Sequence, residues 1–298
     1  MSSRPVLPAV LQTTTGFAVA WLALGVAGVL VLSYGRYRVR GTTLMAPLGW
    51  TLFSLVMLVG GELLLVLFGA GEAGWTGPLR FAVAMTTFCP LMAVLGAKRP
   101  QDRGWQFIVL SLWLLLMVPS GQAVLFQPGE PLELFPAWSW FLTVLLLMSL
   151  ANYLPTRHWM SSLMVFAGQA WLVGEHLPMA RFEVGELGRL GAVALMLGGA
   201  ALAALGLPAR RRGRTPIDGV WIDFRDWFGA VWGLRVAERL RTNSSMYGWG
   251  VAPTWSGFVM IDEKQMPQQT EEELLRSLRT LLRRFVSPQW IAERLQNP

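Results

Sequence analysis

Four ionisable residues at or near the ends of apolar stretches are the positions of this sequence best suited to chemistry. Glu62 lies inside an apolar run, where a carboxylate costs about 2.5–3.5 kcal/mol on insertion scales and is usually paired, protonated or turned inward. Arg80 begins the next run on the same predicted side, and its long side chain can reach inward. Glu175 and His176 end a later run on that side, where an imidazole titrates near neutral pH.

These residues admit two interpretations. One is an outward-facing polar pocket formed by Glu62, Arg80, Glu175 and His176, which would hold a proton, a cation or a polar ligand. The other is a structural ion pair between Glu62 and Arg80, with Glu175 and His176 lying among the lipid headgroups. Gln169 and Asn152 lie deeper in their runs and are expected to form hydrogen bonds between helices.

No catalytic, metal or nucleotide motif accompanies these residues. The chain has one cysteine, Cys89, which excludes an internal disulfide and a thiolate zinc cluster. His158 and His176 stand at opposite ends of one predicted helix, about 27 Å apart at 1.5 Å per residue, and cannot share a metal. No glycine-rich phosphate loop is present. We therefore predict neither a metal nor a cofactor.

The composition is that of a membrane protein. Of the 298 residues 53% are hydrophobic and 14% charged, against roughly 45–50% and 25% in soluble domains. The net charge of +7 is spread along the chain, and neither half is a basic domain. The sequence therefore does not indicate nucleic acid as a partner.

Seven apolar runs are candidates to cross a bilayer, which takes about 20 residues. The first is too long for the apolar core of a signal peptide. The runs are 16–34, 44–70, 78–97, 105–118, 136–154, 158–177 and 190–207. Cys89-Pro90 is expected to kink the third run, and residues 120–134 are expected to form an acidic loop between the fourth and fifth.

Basic residues collect on alternate sides of these runs, as they do on the cytoplasmic side of membrane proteins. One side has Arg36, Arg38, Arg40, Lys98, Arg99, Arg103, Arg157, Arg210, Arg211, Arg212 and Arg214. The other has Arg4, Arg80, Arg181 and Arg189. The fold predicted is all-α: an external segment 1–15, a multi-pass bundle of about seven transmembrane helices over 16–207 with the N-terminus outside, and a mostly helical cytoplasmic tail over 208–298. The predicted location is the inner (plasma) membrane of a bacterium.

The tail is predicted to contain three helices. An amphipathic helix over 220–240 carries tryptophans that suit a membrane interface, and a loop with a short strand at 258–261 follows it. Thr270 and Glu273 have the spacing of a capping box at the start of a helix that runs to about Phe285. Ser287-Pro288 begins a last short helix.

Two sets of tail residues are predicted to meet partners. The first contacts the headgroups of membrane lipids: Arg210, Arg211, Arg212 and Arg214. The second is an apolar stripe for a protein partner or self-association: Leu274, Leu278, Leu281, Leu282 and Phe285.

The function predicted from the sequence is a non-enzymatic anchor, sensor or assembly component that acts through its cytoplasmic tail. The alternative is a small-solute or proton transporter, or a membrane enzyme, that uses the outward-facing pocket around Glu62.

Overall fold

The computed structural model describes residues 14–67, 74–179, 182–208, 215–261 and 266–296, and it is 77% helical. The helices before the tail are α1 (Thr14–Arg38), α2 (Met45–Leu67), α3 (Thr76–Met85), α4 (Cys89–Leu95), α5 (Gln101–Leu116), α6 (Val118–Phe126), α7 (Pro136–Tyr153), α8 (Trp159–Leu172) and α9 (Glu186–Leu205). The tail contains α10 (Pro216–Tyr247), β1 (Val251–Thr254), β2 (Gly257–Met260), α11 (Gln268–Leu282) and α12 (Pro288–Gln296).

Within these described ranges, five helical segments are long and apolar enough to cross a membrane. They are 15–38, 45–67, 76–95, 101–126 and 186–205. The other two predicted spans correspond to α7, with 18 residues, and α8, with 14. At 1.5 Å per residue α8 is about 21 Å long, shorter than a hydrocarbon core of about 30 Å.

The third span is interrupted near its proline. A short 3₁₀ segment, Thr86–Phe88, separates α3 from α4, and Pro90 occupies the first turn of α4. Proline lacks an amide donor, so a first turn is where it costs least. The kink expected at Cys89-Pro90 is thus an interruption three residues long.

The fourth span is longer than the sequence suggests. After Met117 the helix resumes as α6 at Val118 and ends at Phe126, so the acidic loop begins after residue 126 rather than at 120. Pro119 again falls in the first turn of a helix, where it begins a new segment instead of ending the span.

Glycines bring α8 and α9 close together. A Cβ added at Gly168 would lie 2.5 Å from the Ala192 carbonyl oxygen, and one added at Gly199 would lie 2.8 Å from the Ser161 carbonyl oxygen. Close backbone approach at small residues is how helices associate in lipid. The two helices therefore form a closely packed pair.

The first tail helix, α10, begins with a capping box. Thr215 Oγ1 accepts from the Asp218 amide at 3.2 Å, and Asp218 Oδ2 accepts from the Thr215 amide at 3.0 Å. The helix is broken at Gly229, whose φ of 79° is left-handed. The antiparallel hairpin β1–β2 packs on α10, where the Phe258 amide donates to Asp218 Oδ1 at 2.8 Å.

The second tail helix, α11, starts differently from the sequence prediction. It begins at Gln268 after Pro267 and has no side-chain cap, so Thr270 and Glu273 lie inside the helix and form no capping box. The Glu273 carboxylate instead accepts a 2.7 Å hydrogen bond from Trp249 Nε1. The expected cap of α12 is present, since Ser287 Oγ accepts from the Trp290 amide at 3.2 Å.

The tail shares an apolar core with Val39, Leu44, Val94 and Ala97 of the span region. Trp221, Phe224 and Phe228 of α10 are fully buried there. Trp221 is one of the tryptophans expected at the membrane interface. It instead faces protein, and its Nε1 donates to the Thr254 carbonyl oxygen at 2.9 Å.

Candidate functional site

The four sequence-predicted site residues meet at one end of the bundle. Arg80 of α3 lies 3.4 Å from Glu62 Oε2 of α2, and Glu62 is 3% exposed. Glu175 and His176 form the 3₁₀ turn after α8, and the imidazole of His176 packs edge-on against Phe81 with ring centroids 5.0 Å apart.

Two further residues of α9, Glu186 and Arg189, complete this outer cluster. Arg80 is hydrogen-bonded to Glu186, and Arg189 lies 3.3 Å from Glu175 Oε1. That same Glu175 oxygen also accepts from the Val184 amide at 2.9 Å. Glu186 and Arg189 are opposite charges one helical turn apart at the start of the seventh span, and this spacing could have indicated their role. From the sequence alone, Arg189 was assigned only to a loop.

The outer cluster links α2, α3 and α9 with the turn after α8. Two guanidinium groups stand among three carboxylates, so each buried charge has an opposite neighbour, as burial demands. Arg80 Nε, Arg189 Nε and Glu186 Oε2 have no hydrogen-bond partner within the described ranges. No group of side chains there is arranged to hold a metal ion. The contacts present are those of a structural ion-pair network.

At the opposite end, the tail is bound to the loops between spans. The Thr43 amide donates to the Phe285 carbonyl oxygen at 2.9 Å, and the Arg99 amide donates to the Arg284 carbonyl oxygen at 2.8 Å. In the loop after the fifth predicted span, the Pro155 carbonyl oxygen accepts a hydrogen bond from Trp255 Nε1 of the tail at 2.6 Å. The loops that follow the first, third and fifth predicted spans therefore lie together against the tail.

Side chains of α10 extend this contact into the bundle. Trp232 Nε1 donates to the Val94 carbonyl oxygen at 2.9 Å, and Asn152 Oδ1 accepts from the Val231 amide at 3.0 Å. The Val231 amide lies just after the break at Gly229. Asn152, which was expected to bond to another span, therefore bonds to the tail. Gln169 does bridge two spans, since its Nε2 donates to the Thr87 carbonyl oxygen at 2.8 Å.

A buried ion cluster lies at the same junction. Asp226 is fully buried and accepts from Arg225 Nε and Nη2 at 2.9 and 2.6 Å, while Arg157 Nε of the span region lies 3.8 Å away. Burial raises the pKa of the Asp226 carboxyl, and the Arg225 guanidinium opposes that rise. Arg225 also donates to the Trp255 carbonyl oxygen and lies over the Trp255 ring. These charges therefore hold the tail to the bundle.

The apolar stripe of α11 is covered by the chain itself. Leu274, Leu278 and Leu282 are at most 1% exposed and belong to the tail core, against which Leu281 also packs. Phe285 contacts the rings of Phe224, Phe228 and Trp232. These residues therefore pack within the chain, where α10 supplies the apolar surface that they need, and the docking role stays a prediction.

The lipid-contacting arginines predicted at Arg210, Arg211, Arg212 and Arg214 lie outside the described residues. Comparison with protein-family models, with curated proteins and with solved structures finds no match to this chain. What the fold defines is a largely helical chain with several helices apolar enough for a membrane protein.

Proposed function

We propose that this protein is a seven-helix integral membrane protein of a bacterial inner membrane that acts as an anchor or sensor through a cytoplasmic tail. The observation that carries the proposal is the attachment of the tail to the bundle by main-chain hydrogen bonds in two loops and a buried ion cluster at a third. A tail held this way must follow any movement of the helices beneath it.

The arrangement of α7 and α8 supports seven crossings. Tyr153 at the end of α7 bonds to the Trp227 carbonyl oxygen of the tail at 3.3 Å, and the turn after α8 joins the outer cluster. The loops at the tail end contain Arg40, Lys98, Arg99 and Arg157, which favours the cytoplasm for that end.

A basic groove between α11 and α12 is the surface we assign to a protein partner. It has a volume of about 610 Å³ and is lined by Arg276, Arg279 and Arg283, which outnumber the carboxylate of Glu272, together with Ile291 of α12. Three guanidinium groups beside an apolar floor suit an acidic segment with apolar side chains. This surface replaces the leucine stripe as the docking face.

A proximity-labelling experiment tests this function. A biotin ligase fused to the C-terminus should label cytoplasmic proteins, and Arg276→Glu with Arg279→Glu should reduce that labelling about tenfold. The matched control is Arg239→Glu with Arg241→Glu, at exposed positions of α10. The proposal fails if both double variants label the same proteins equally, or if the labelled proteins are external.

The transporter alternative centres on Glu62, and its burial among two arginines is the observation that favours it. Proteoliposomes would show a proton or solute flux that Glu62→Gln abolishes. A measurable flux of that kind would overturn the anchor or sensor assignment. We favour the anchor or sensor because every charge of the outer cluster already faces an opposite one.

A further inference from the structure

A cavity of about 340 Å³ lies within the bundle at its tail end. Side chains of α1, α2, α4, α7, α8 and α9 form its wall, and Trp227 of the tail closes one end. Most of the wall is aliphatic, with Leu32, Leu48, Val165 and Ala203 as examples. Its volume falls within the roughly 300–1,000 Å³ of small-molecule pockets.

One face of α8 lines the whole length of the cavity. His158, Ser161, Val165 and Gln169 follow one another at intervals of three or four residues, the spacing of one helix face. From His158 to Gln169 this face extends about 16 Å at 1.5 Å per residue. The cavity is therefore long and runs from the tail toward the middle of the bundle.

Several polar groups in the wall are satisfied by nearby main chain. Ser54 Oγ donates to the Thr86 carbonyl oxygen, and Thr87 Oγ1 donates to the Ala84 carbonyl oxygen. By contrast, His158 Nδ1, Ser161 Oγ and Gln169 Oε1 have no hydrogen-bond partner in the part of the chain that the structure describes. All three residues are at least nine-tenths buried, and such groups normally have partners.

The chemistry of these three atoms differs between the ends of the cavity. His158 Nε2 accepts from Arg157 Nε at 3.3 Å, so the neutral ring carries its proton on Nδ1 and can donate it. Ser161, one turn along, offers a second donor. At the inner end Gln169 already uses its amide nitrogen, and its free oxygen is an acceptor.

We propose that the cavity binds a single-chain lipid of the fatty-acid class, drawn from the surrounding membrane. The carboxyl oxygens accept from His158 Nδ1 and Ser161 Oγ beside the tail, and the chain lies along α8 toward Gln169. Burial of the chain against aliphatic side chains supplies the affinity. A hydroxyl near the middle of the chain would donate to Gln169 Oε1, so hydroxylated chains should bind more tightly than plain ones.

Binding of radiolabelled palmitate to the full-length protein in nanodiscs tests this proposal. We expect saturable binding of one molecule per chain, with 10-hydroxypalmitate competing several-fold better than unlabelled palmitate, because a hydroxyl near the middle of the chain matches the distance to Gln169. Ala203→Leu, which fills the cavity wall, should weaken binding at least tenfold. Ala201→Leu on the same helix does not line the cavity and should bind as the unmodified protein does.

A milder pair of variants covers the case in which Ala203→Leu fails to fold. Ser161→Ala removes an unpartnered hydroxyl and should weaken palmitate binding several-fold without lowering the melting temperature. Ser111→Ala, on α5 away from the cavity, is its control: its hydroxyl bonds to the Phe107 carbonyl oxygen at 2.8 Å, and its removal should not weaken binding.

Absence of saturable binding to the unmodified protein would overturn the proposal, as would equal binding by Ser161→Ala and Ser111→Ala. The inference is independent of the proposed function, because the binding assay requires neither a partner nor the groove between α11 and α12.

Discussion

Arg80 forms ion pairs with two carboxylates, Glu62 and Glu186, at one end of the bundle. Of the two, Glu62 is buried away from solvent. Glu62 is 3% exposed, so removing Arg80 leaves a buried charge that has lost its contact cation and keeps only the longer-range attraction of Arg189. Breaking a buried ion pair in this way typically costs about 3–5 kcal/mol, whereas an amide in place of the carboxylate keeps a hydrogen bond and loses the charge. The two partners of this pair should therefore respond unequally to substitution.

The first prediction is that Arg80→Ala lowers the melting temperature in detergent far more than Glu62→Gln does. Glu130→Gln, at an exposed position of the loop after α6, serves as the control and should leave it unchanged. Equal and negligible losses for Arg80→Ala and Glu62→Gln would mean that the network contributes nothing to stability.

The second prediction concerns the ion cluster at the tail junction. Arg225→Met strands the fully buried Asp226 carboxylate and removes the bond to the Trp255 carbonyl oxygen, at a cost of roughly 3 kcal/mol. The tail should become sensitive to limited proteolysis while the helices of the bundle stay protected. Arg239→Met, at an exposed position of α10, should preserve the resistance of the tail.

At the scale of elements, α10 depends on a break at Gly229. Its left-handed φ and its closeness to Asn152 both exclude a side chain, since a Cβ would lie 2.4 Å from Asn152 Nδ2. Gly248 has a similar φ of 66° but no neighbour within 4 Å of such a Cβ. The backbone of Gly229 also has a ψ of -178°, a region essentially restricted to glycine, whereas Gly248 has the left-handed helical ψ of 30°.

The third prediction is that Gly229→Ala weakens tail attachment by more than Gly248→Ala. Gly248→Ala places alanine in the left-handed helical region, which costs of order 1 kcal/mol, whereas Gly229→Ala meets both a glycine-only backbone conformation and Asn152. Thermal unfolding followed by the fluorescence of the tail tryptophans measures the difference. Comparable losses for the two variants would contradict a role for Gly229 in docking.

The fourth prediction follows from the covered leucine stripe of α11. Leu278→Asp buries a charge among Leu274, Leu282 and α10, so it should unfold the tail and make it protease-sensitive. Thr280→Asp on the exposed face of the same helix should not. A variant Leu278→Asp with an intact tail would restore the docking role predicted from the sequence.

The elements and their partners were not equally predictable. Most of the helices could be predicted from apolar runs and their flanking arginines, because hydropathy is a local property of the sequence. The pairing of Glu62 with Arg80 could be predicted from their opposite charges near the same predicted end of neighbouring runs. The cover of the leucine stripe was not predictable, since a stripe shows that a face must be buried and not by what. The start of α11 was misjudged because Glu273 bonds to Trp249, a contact that no local pattern indicates.

For the whole molecule, the two ends of the bundle differ in character. One end has the ion-pair network of α2, α3 and α9, and the other has the tail, seated on three loops. Loops that follow the first, third and fifth predicted spans meet at the tail, which is the geometry that the proposed seven crossings would require. The membrane side of the tail stays a prediction from the basic loops.

The fifth prediction is therefore topological. Reporters inserted after Arg40, Arg103 and Arg157 should read cytoplasmic, together with one at the C-terminus, and those after Glu130 and Glu183 should read external. Because each loop fixes the next, a single reversed site would contradict the seven-helix arrangement. A cysteine-free background made by Cys89→Ser allows the same sites to be tested by thiol labelling.

The pairing of the first loop with the end of the tail has a consequence for biosynthesis. Thr42 forms a β-bridge with Val286, more than 240 residues later, and the Ser287 amide donates to the Gly41 carbonyl oxygen at 2.6 Å. The ribosome makes the first loop long before residues 286 and 287 of the tail, which bond to it. The spans made before the tail must therefore insert without this contact. A tail made as a separate polypeptide should then find the same loops and restore the docked form by fragment complementation.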